Sequence, residues 1–407
     1  MKVLLLSHIF PPAVDGGSRV IYKLGQYFES QNHETLYLSS NCSSTDDFVK
    51  SKNKVALSRE MSRDSRDRGF LKIPVYHHLR RPLKLINLFI PKQTYLHQLF
   101  EVFQKGPIFK IIPIIKAIIK IANFKPDLIV AGPFPTTIIL YAQFLKKIFK
   151  TKLLINASFH QTDPDFLKKP LIKTLRKSDY IWTLTQYEKT FFETKLKIQP
   201  NKIILAGNGV DQDLLINDSK IHFPKNPNLL FIGSLSAHKK VDLLINAFVS
   251  LSSKEEMKNS TLTIAGQKTL FYPQLKNQIK LLDPKIKSKI KFCFNFPQKK
   301  LIKLIDSATI LVLPSIQESF GLVLIESWSR GKPVITSDIP PLKELVKKTN
   351  GGLYFESNSA KDLEQKISTL IKNPNSCQKL GQNGLEYVKN NYTWNKVGEK
   401  ICQKILY

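Results

Sequence analysis

Two glutamates and two adjacent lysines are the residues of this chain best suited to chemistry by type and spacing. Glu318 and Glu326 stand eight positions apart in PSIQESFGLVLIESWSRGKPV, residues 314–334. Glu318 falls just before the Phe320-Gly321 turn, and Glu326 lies on the helix that Leu322 opens. The first amides of such a helix have no intrahelical partner and sit at the positive end of its dipole, which suits an anion. A carboxylate beside a phosphate would repel it, so both glutamates suit hydroxyls, as an acidic residue on a cofactor ribose does. Phosphate on amides and hydroxyls on carboxylates describe a nucleotide-sugar. Lys239 and Lys240, in GSLSAHKKVD, follow a Gly-ended strand and open a helix, where a lysine acts as a point charge toward phosphate. Gly16-Gly17, at the first strand-to-helix turn, lets backbone approach a ligand closely. Taken alone, the glutamate spacing also fits a tight turn with two surface carboxylates, and Gly-Gly also fits an ordinary turn.

These residues need a frame that brings strand ends together. The apolar run 309–313 predicts a buried strand, 314–321 a loop, 322–330 a helix and 333–336 the next strand, which is one βαβ unit. Ligands in such open parallel sheets sit at the carboxyl ends of the strands. The same alternation recurs along the chain: strands at 2–7, 35–39, 127–131 and 153–156, with helices at 18–30 and 137–149. His160 follows the 153–156 strand, a better position for a site than most histidines occupy. Asp163-Pro164-Asp165 reads as a polar loop, since no strand feeds the two carboxylates. A polar, proline-bearing stretch near 206–226 marks a domain boundary. Beyond it come strands at 229–232, 261–265 and 291–294, then the central unit and a helix at 360–371. The fold class is α/β, with two domains.

Set as E-S-F-G-L-V-L-I-E after an apolar strand ending Pro-Ser and before G-K-P-V-I, the central stretch resembles the signature of family-4 retaining glycosyltransferases with the GT-B fold. P-P-x-x-x-G-G at 11–17 resembles that family's amino-terminal loop, His160 its sugar-contacting histidine, and the tail from Asn391 its returning helix. The resemblance implies two Rossmann-like domains facing across a cleft. The first, 1–205 with the returning helix 391–407, would take the acceptor, and the second, 206–390, the nucleotide-sugar. Lys239, Glu318 and His160 would be the catalytic residues. Gly16, Gly17, Lys240, Ser319, Phe320, Gly321, Leu322 and Glu326 would bind the donor. Within this scheme Lys239 stabilises leaving-group charge, Glu326 holds the ribose, and Glu318 with His160 holds the transferred sugar. The implied activity moves a sugar from a nucleoside-diphosphate sugar to a glycan or lipid-linked acceptor with retention, in cell-surface polysaccharide or glycolipid synthesis. No cofactor and no metal are expected. The chain departs from the family pattern at Ser234, which replaces an Arg, at Lys240, which replaces a Gly, and at Asn295, which stands where Gly is frequent.

Three other readings share parts of these residues. A GT-B nucleotide-sugar epimerase would use the same donor site without an acceptor. A sugar phosphorylase would need a pyridoxal-type lysine, for which no motif is visible. A nucleic-acid binder would use the net charge of +30 but would need an RNA-binding motif, and none is present, so no nucleic acid is expected as a partner.

That charge is uneven. Residues 51–125 hold sixteen Lys or Arg against four Asp or Glu. Large apolar residues interleave with them, and from 113 to 123 Lys116, Lys120 and Asn123 share one helical face while isoleucines cover the rest. This suits a peripheral contact of 80–125 with an anionic membrane, an ordinary half-buried helix, or compositional drift that merely solvates the surface. Four cysteines without a C-x-x-C pair argue against both a disulfide framework and a zinc site. With no signal-like segment and no apolar run of spanning length, the expected location is the cytoplasm, peripheral on the inner face of the cell membrane.

Overall fold

The short apolar runs of the sequence become parallel strands buried on both faces. Val3, Leu4, Leu5 and Leu6 are fully buried, as are Ile310 to Leu313, the pattern of a sheet covered by helices on each side. The computed structural model describes residues 1–10, 16–42, 69–75, 83–84, 87–217 and 221–406. The chain divides into two units, Met1–Gly207 with Gly398–Tyr407, and Asn208–Val397.

In the first unit the strands are β1 (Lys2–Leu6), β2 (Glu34–Ser40), β3 (Phe70–Ile73), β4 (Leu128–Ala131), β5 (Lys152–Asn156), β6 (Tyr180–Thr183) and β7 (Ile203–Leu205). They pair in the order β3-β2-β1-β4-β5-β6-β7, every pair parallel. In the second unit they are β8 (Asn228–Ile232), β9 (Thr261–Gly266), β10 (Ile290–Phe294), β11 (Ile310–Leu313), β12 (Val334–Ser337) and β13 (Gly352–Phe355). Their order is β10-β9-β8-β11-β12-β13, again all parallel. Each sheet thus runs outward from its first strand in one direction and then restarts on the other side. This doubly wound order places a switch point between β1 and β4 and another between β8 and β11, the positions at which open parallel sheets usually bind ligands.

The helix after β11, Leu322–Trp328, is held from behind. Trp328 is fully buried and its indole N–H donates to the Gly351 carbonyl at 2.8 Å. Gly384 of the helix Pro374–Asn391 packs so closely that an added Cβ would lie 2.1 Å from the Trp328 ring. The ring of Phe320 meets Tyr392 edge-on, with centroids 5.4 Å apart.

Several elements had no clear signal in the sequence, among them the strand β3, the helix Tyr95–Lys105 and the helix Pro374–Asn391. β3 is four residues at a sheet edge, too short for a period to show. Pro374–Asn391 carries Gly381 and Gly384, which lower helix propensity and are needed here for close packing, Gly381 against the Gly331 carbonyl and Gly384 against Trp328. The expected loop at 43–69 lies, except for Gly69, outside the described residues, as do positions 11–15 of the amino-terminal loop.

Candidate active site

Loops from the two strands that flank the second switch point carry the paired charges. Gly233 to Lys240 leaves β8, and Pro314 to Gly321 leaves β11. Across them the Lys239 ammonium stands 2.5 Å from Glu318 Oε1, with both side chains largely buried at 17% and 11% exposure. The loops are also joined through backbone, the Ile316 N–H donating to the His238 carbonyl at 2.9 Å. Ser337, at the end of β12, donates its hydroxyl to the Ser315 carbonyl and ties the β11 loop to the next strand. These bonds hold together the two loops that carry the ion pair.

The β8 loop owes its path to two glycines. Gly233 donates its N–H to Ala265 at 3.0 Å, and Leu235 to Gln267 at 2.9 Å. A Cβ on Gly266, whose φ is +148°, would fall 1.7 Å from the Gly233 carbonyl oxygen, so only glycine fits where the ends of β8 and β9 touch. A short 3-10 turn, Ala237–Lys239, then leads into the helix Val241–Leu251 through Lys240, at φ 51° and ψ 40°. That is the left-handed region. The family-pattern glycine at this position answers a backbone requirement that Lys240 meets with strain. Asn295, the other departure from glycine, also has a positive φ of 50°, and asparagine tolerates that region better than most residues. Ser234, in place of the Arg, lies 3.3 Å from the Ser236 hydroxyl.

His238 was not singled out from the sequence, where only its place before Lys239 could have marked it. Its Nε2 is 3.3 Å from the Ser236 hydroxyl. Burial, and then the neighbouring Lys239 charge, hold its pKa below the ordinary histidine value, against the opposite pull of Glu318. It is therefore neutral at pH 7.

Gly321, at φ 83°, caps the helix Leu322–Trp328. Phe320 is 1% exposed, so its ring belongs to the core and only its backbone can face a ligand. Ser319, Leu322 and Glu326 are half-buried, with Glu326 one turn along the helix from Leu322. The second unit thus gathers Lys239, Lys240, Glu318, Ser319, Phe320, Gly321, Leu322 and Glu326 around two adjacent strand ends.

Gly16, Gly17 and His160 belong to the first unit. The two glycines begin the helix Gly16–Ser30. His160 follows β5 beyond Ser158, at φ 41°, and its ring meets Phe166 edge-on at 5.1 Å. A second residue missed in the sequence positions this loop. The buried Glu188 carboxylate accepts from the Phe159 N–H at 2.9 Å and the Leu184 N–H at 2.6 Å, joining the loops after β5 and β6. The Asp163-Pro164-Asp165 segment is a local cap: Asp163 accepts from the Asp165 N–H at 2.9 Å and Asp165 pairs with Lys168 at 2.9 Å.

Residues 197–387, which include the Lys239–Glu318 pair and Glu326, match the family model for glycosyl transferases group 1. This stretch is a group 1 glycosyl transferase domain. An uncharacterized glycosyltransferase of Methanocaldococcus jannaschii is 30% identical over 222 residues, 54% of this chain and 57% of that protein. The O-antigen chain mannosyltransferase of Salmonella typhimurium is 26% identical over 215 residues, 53% of this chain and 56% of that protein. The chain thus spans little more than half the length of these two relatives. Among solved structures, Anabaena HepE in complex with UDP and glucose superposes with a TM-score of 0.70 at 16% identity, covering 100% of this chain and 99% of that one. That likeness shows the fold, two Rossmann-like units of the GT-B class, beyond the group 1 domain itself.

Proposed function

We propose that the chain transfers a sugar from a nucleoside-diphosphate sugar to a glycan or lipid-linked acceptor, with retention of anomeric configuration, in the building of cell-surface polysaccharide or glycolipid. The observation that carries this reading is the Lys239–Glu318 pair at the β8/β11 switch point, inside the group 1 domain. The leaving group is a nucleoside diphosphate, so catalysis rests on stabilising charge that develops on phosphate rather than on protonating it. Lys239 supplies a cation at that point, with Lys240 beside it, and the first amides after Gly321 supply dipoles. Glu326, a turn along the helix from those amides, takes the ribose hydroxyls. Glu318, released from Lys239 by the incoming phosphate charge, accepts from hydroxyls of the transferred sugar. The structures of HepE with UDP and glucose and with UDP-glucose support a uridine donor as the first to test.

The test is a melting series on the purified chain with UDP-, GDP- and ADP-sugars. A true donor at a hundred times its dissociation constant stabilises the fold by about 2.7 kcal/mol. The positive donor is then incubated alone and with glycan and lipid acceptors. The expected result is release of nucleoside diphosphate that depends on acceptor. No stabilisation by any of these donors would overturn the reading, and conversion of the sugar without acceptor would make the protein an epimerase.

A further inference from the structure

The helix Ile111–Phe124, IIPIIKAIIKIANF, buries only Ala117 and Ile121 completely. Ile111, Ile112, Ile115 and Ile119 remain 63%, 69%, 50% and 57% exposed. Positions 111, 115 and 119 recur every four residues and form one stripe, with 112 beside it. Lys116 and Lys120, both exposed, follow one border of the stripe. Across the other border, Ile114 and Ile118 pack with Phe144 of the helix Thr137–Phe149 around a small apolar pocket. Phe144 and Ile148 of that helix are themselves 53% and 45% exposed, so the apolar surface continues across both helices. Neither helix contains an Asp or Glu, and Lys110, Lys125 and Lys147 around them are exposed. Scattered exposed isoleucines need no explanation, but six large apolar groups together mark a surface that is covered in use.

We infer that this face lies on an anionic lipid bilayer, with the helix Ile111–Phe124 in the plane of the headgroups. The isoleucines and Phe144 enter the acyl boundary, and Lys116 and Lys120 reach back along their stems to the phosphates. Charge decides against a second copy of the chain: a two-fold interface sets the same patch against itself and would bring these lysines together. Shape favours lipid, since the stripe is a ridge and a fluid surface accommodates a ridge without a matching groove. The contact is peripheral, because among the described residues no helix is long and apolar enough to cross a membrane. This surface is distinct from the residues assigned to the donor.

The experiment is co-sedimentation of the full chain with vesicles of phosphatidylcholine alone or mixed with phosphatidylglycerol, at low and high salt. The wild type should sediment with the mixed vesicles at low salt and lose most of that binding at high salt. Each lysine near an anionic surface is worth about fivefold in partitioning, so Lys116→Glu with Lys120→Glu should weaken binding at least about 25-fold. Ile115→Ser with Ile119→Ser, at exposed positions, should keep the melting temperature and the nucleotide-sugar response while weakening binding by roughly tenfold. Wild-type protein left in the supernatant with anionic vesicles at low salt overturns the inference. So does full binding by the isoleucine variant, which would make the attraction one of charge alone. A dimer in solution that the isoleucine variant dissociates, or RNA retention that it abolishes, would assign the face to a different partner. In each of these cases an unchanged melting response to donor would leave the sugar-transfer reading standing.

Discussion

The ammonium of Lys239 and the carboxylate of Glu318 are 2.5 Å apart on loops that leave the adjacent strands β8 and β11. Each neutralises the other in a site proposed to take phosphate on one and sugar hydroxyls on the other, so the two should be energetically coupled. Lys239→Ala is expected to lower kcat by two orders of magnitude or more, on the scale of one lost donor to a developing oxyanion. Glu318→Gln removes the competitor for Lys239, so UDP should bind that variant as tightly as the wild type or tighter while transfer falls. Calorimetric titration with UDP alongside turnover checks both. Parallel loss of UDP affinity in the two variants would show that the pair acts only as a structural clamp.

Glu326 should behave differently, because its proposed partner is the ribose. Glu326→Ala is expected to weaken free UDP by about tenfold, the equivalent of one charge-assisted hydrogen bond. Glu318→Ala should leave UDP nearly untouched. Equal losses in the two variants, measured by the same titration, would refute the division of roles.

Much of this architecture is legible in the sequence because parallel strands buried on both faces read as unbroken apolar runs such as Ile310–Leu313, and each ends at a turn residue. The candidate residues stand out less for their spacing, which also fits an ordinary turn, than for the family pattern around them, and the structure puts Lys239 and Glu318 on loops that leave adjacent strands. What is not legible is contact between residues far apart in sequence. Lys239 and Glu318 are separated by 79 positions, and nothing local in either segment says that they pair. His238 and Glu188 escape notice because their roles come from burial and from the loops they touch. The isoleucines of residues 111–124 show helical spacing, but only the packed neighbours determine that Ala117 and Ile121 are covered while Ile111, Ile115 and Ile119 are not.

The backbone at Lys240 offers a test that is independent of activity. A non-glycine residue in the left-handed region costs about 1–2 kcal/mol, against roughly 0.5–1 kcal/mol for the greater chain freedom of glycine in the unfolded state. Lys240→Gly should therefore raise unfolding stability by roughly 0.5–1 kcal/mol, whereas Lys240→Ala, with the same Cβ, should not. Asn295→Gly should gain less, since asparagine already tolerates that conformation. Urea unfolding of the three variants decides it. A gain with alanine equal to that with glycine would trace the effect to charge rather than to strain.

Lys332 ties stability to pH. It is 1% exposed, donates to the His222 carbonyl and lies 4.6 Å from the centre of the Phe223 ring. Burial lowers its pKa from 10.5 to about 8, against the opposing attraction of Asp306 and with a smaller push from Arg330 in the same direction as burial. Between those values the unfolded chain holds the proton and the folded chain does not, so stability rises with pH across the window and the charged form is most costly below pH 8. The full difference is about 3 kcal/mol at 1.36 kcal/mol per unit. Lys332→Met removes this titration while keeping an apolar side chain of similar length over Phe223. Its stability relative to wild type should thus be more favourable at pH 7.5 than at pH 10, by up to about 3 kcal/mol in urea unfolding. Parallel stability curves for the two proteins across that range would mean that Lys332 keeps its ordinary pKa, and that water reaches its ammonium in solution.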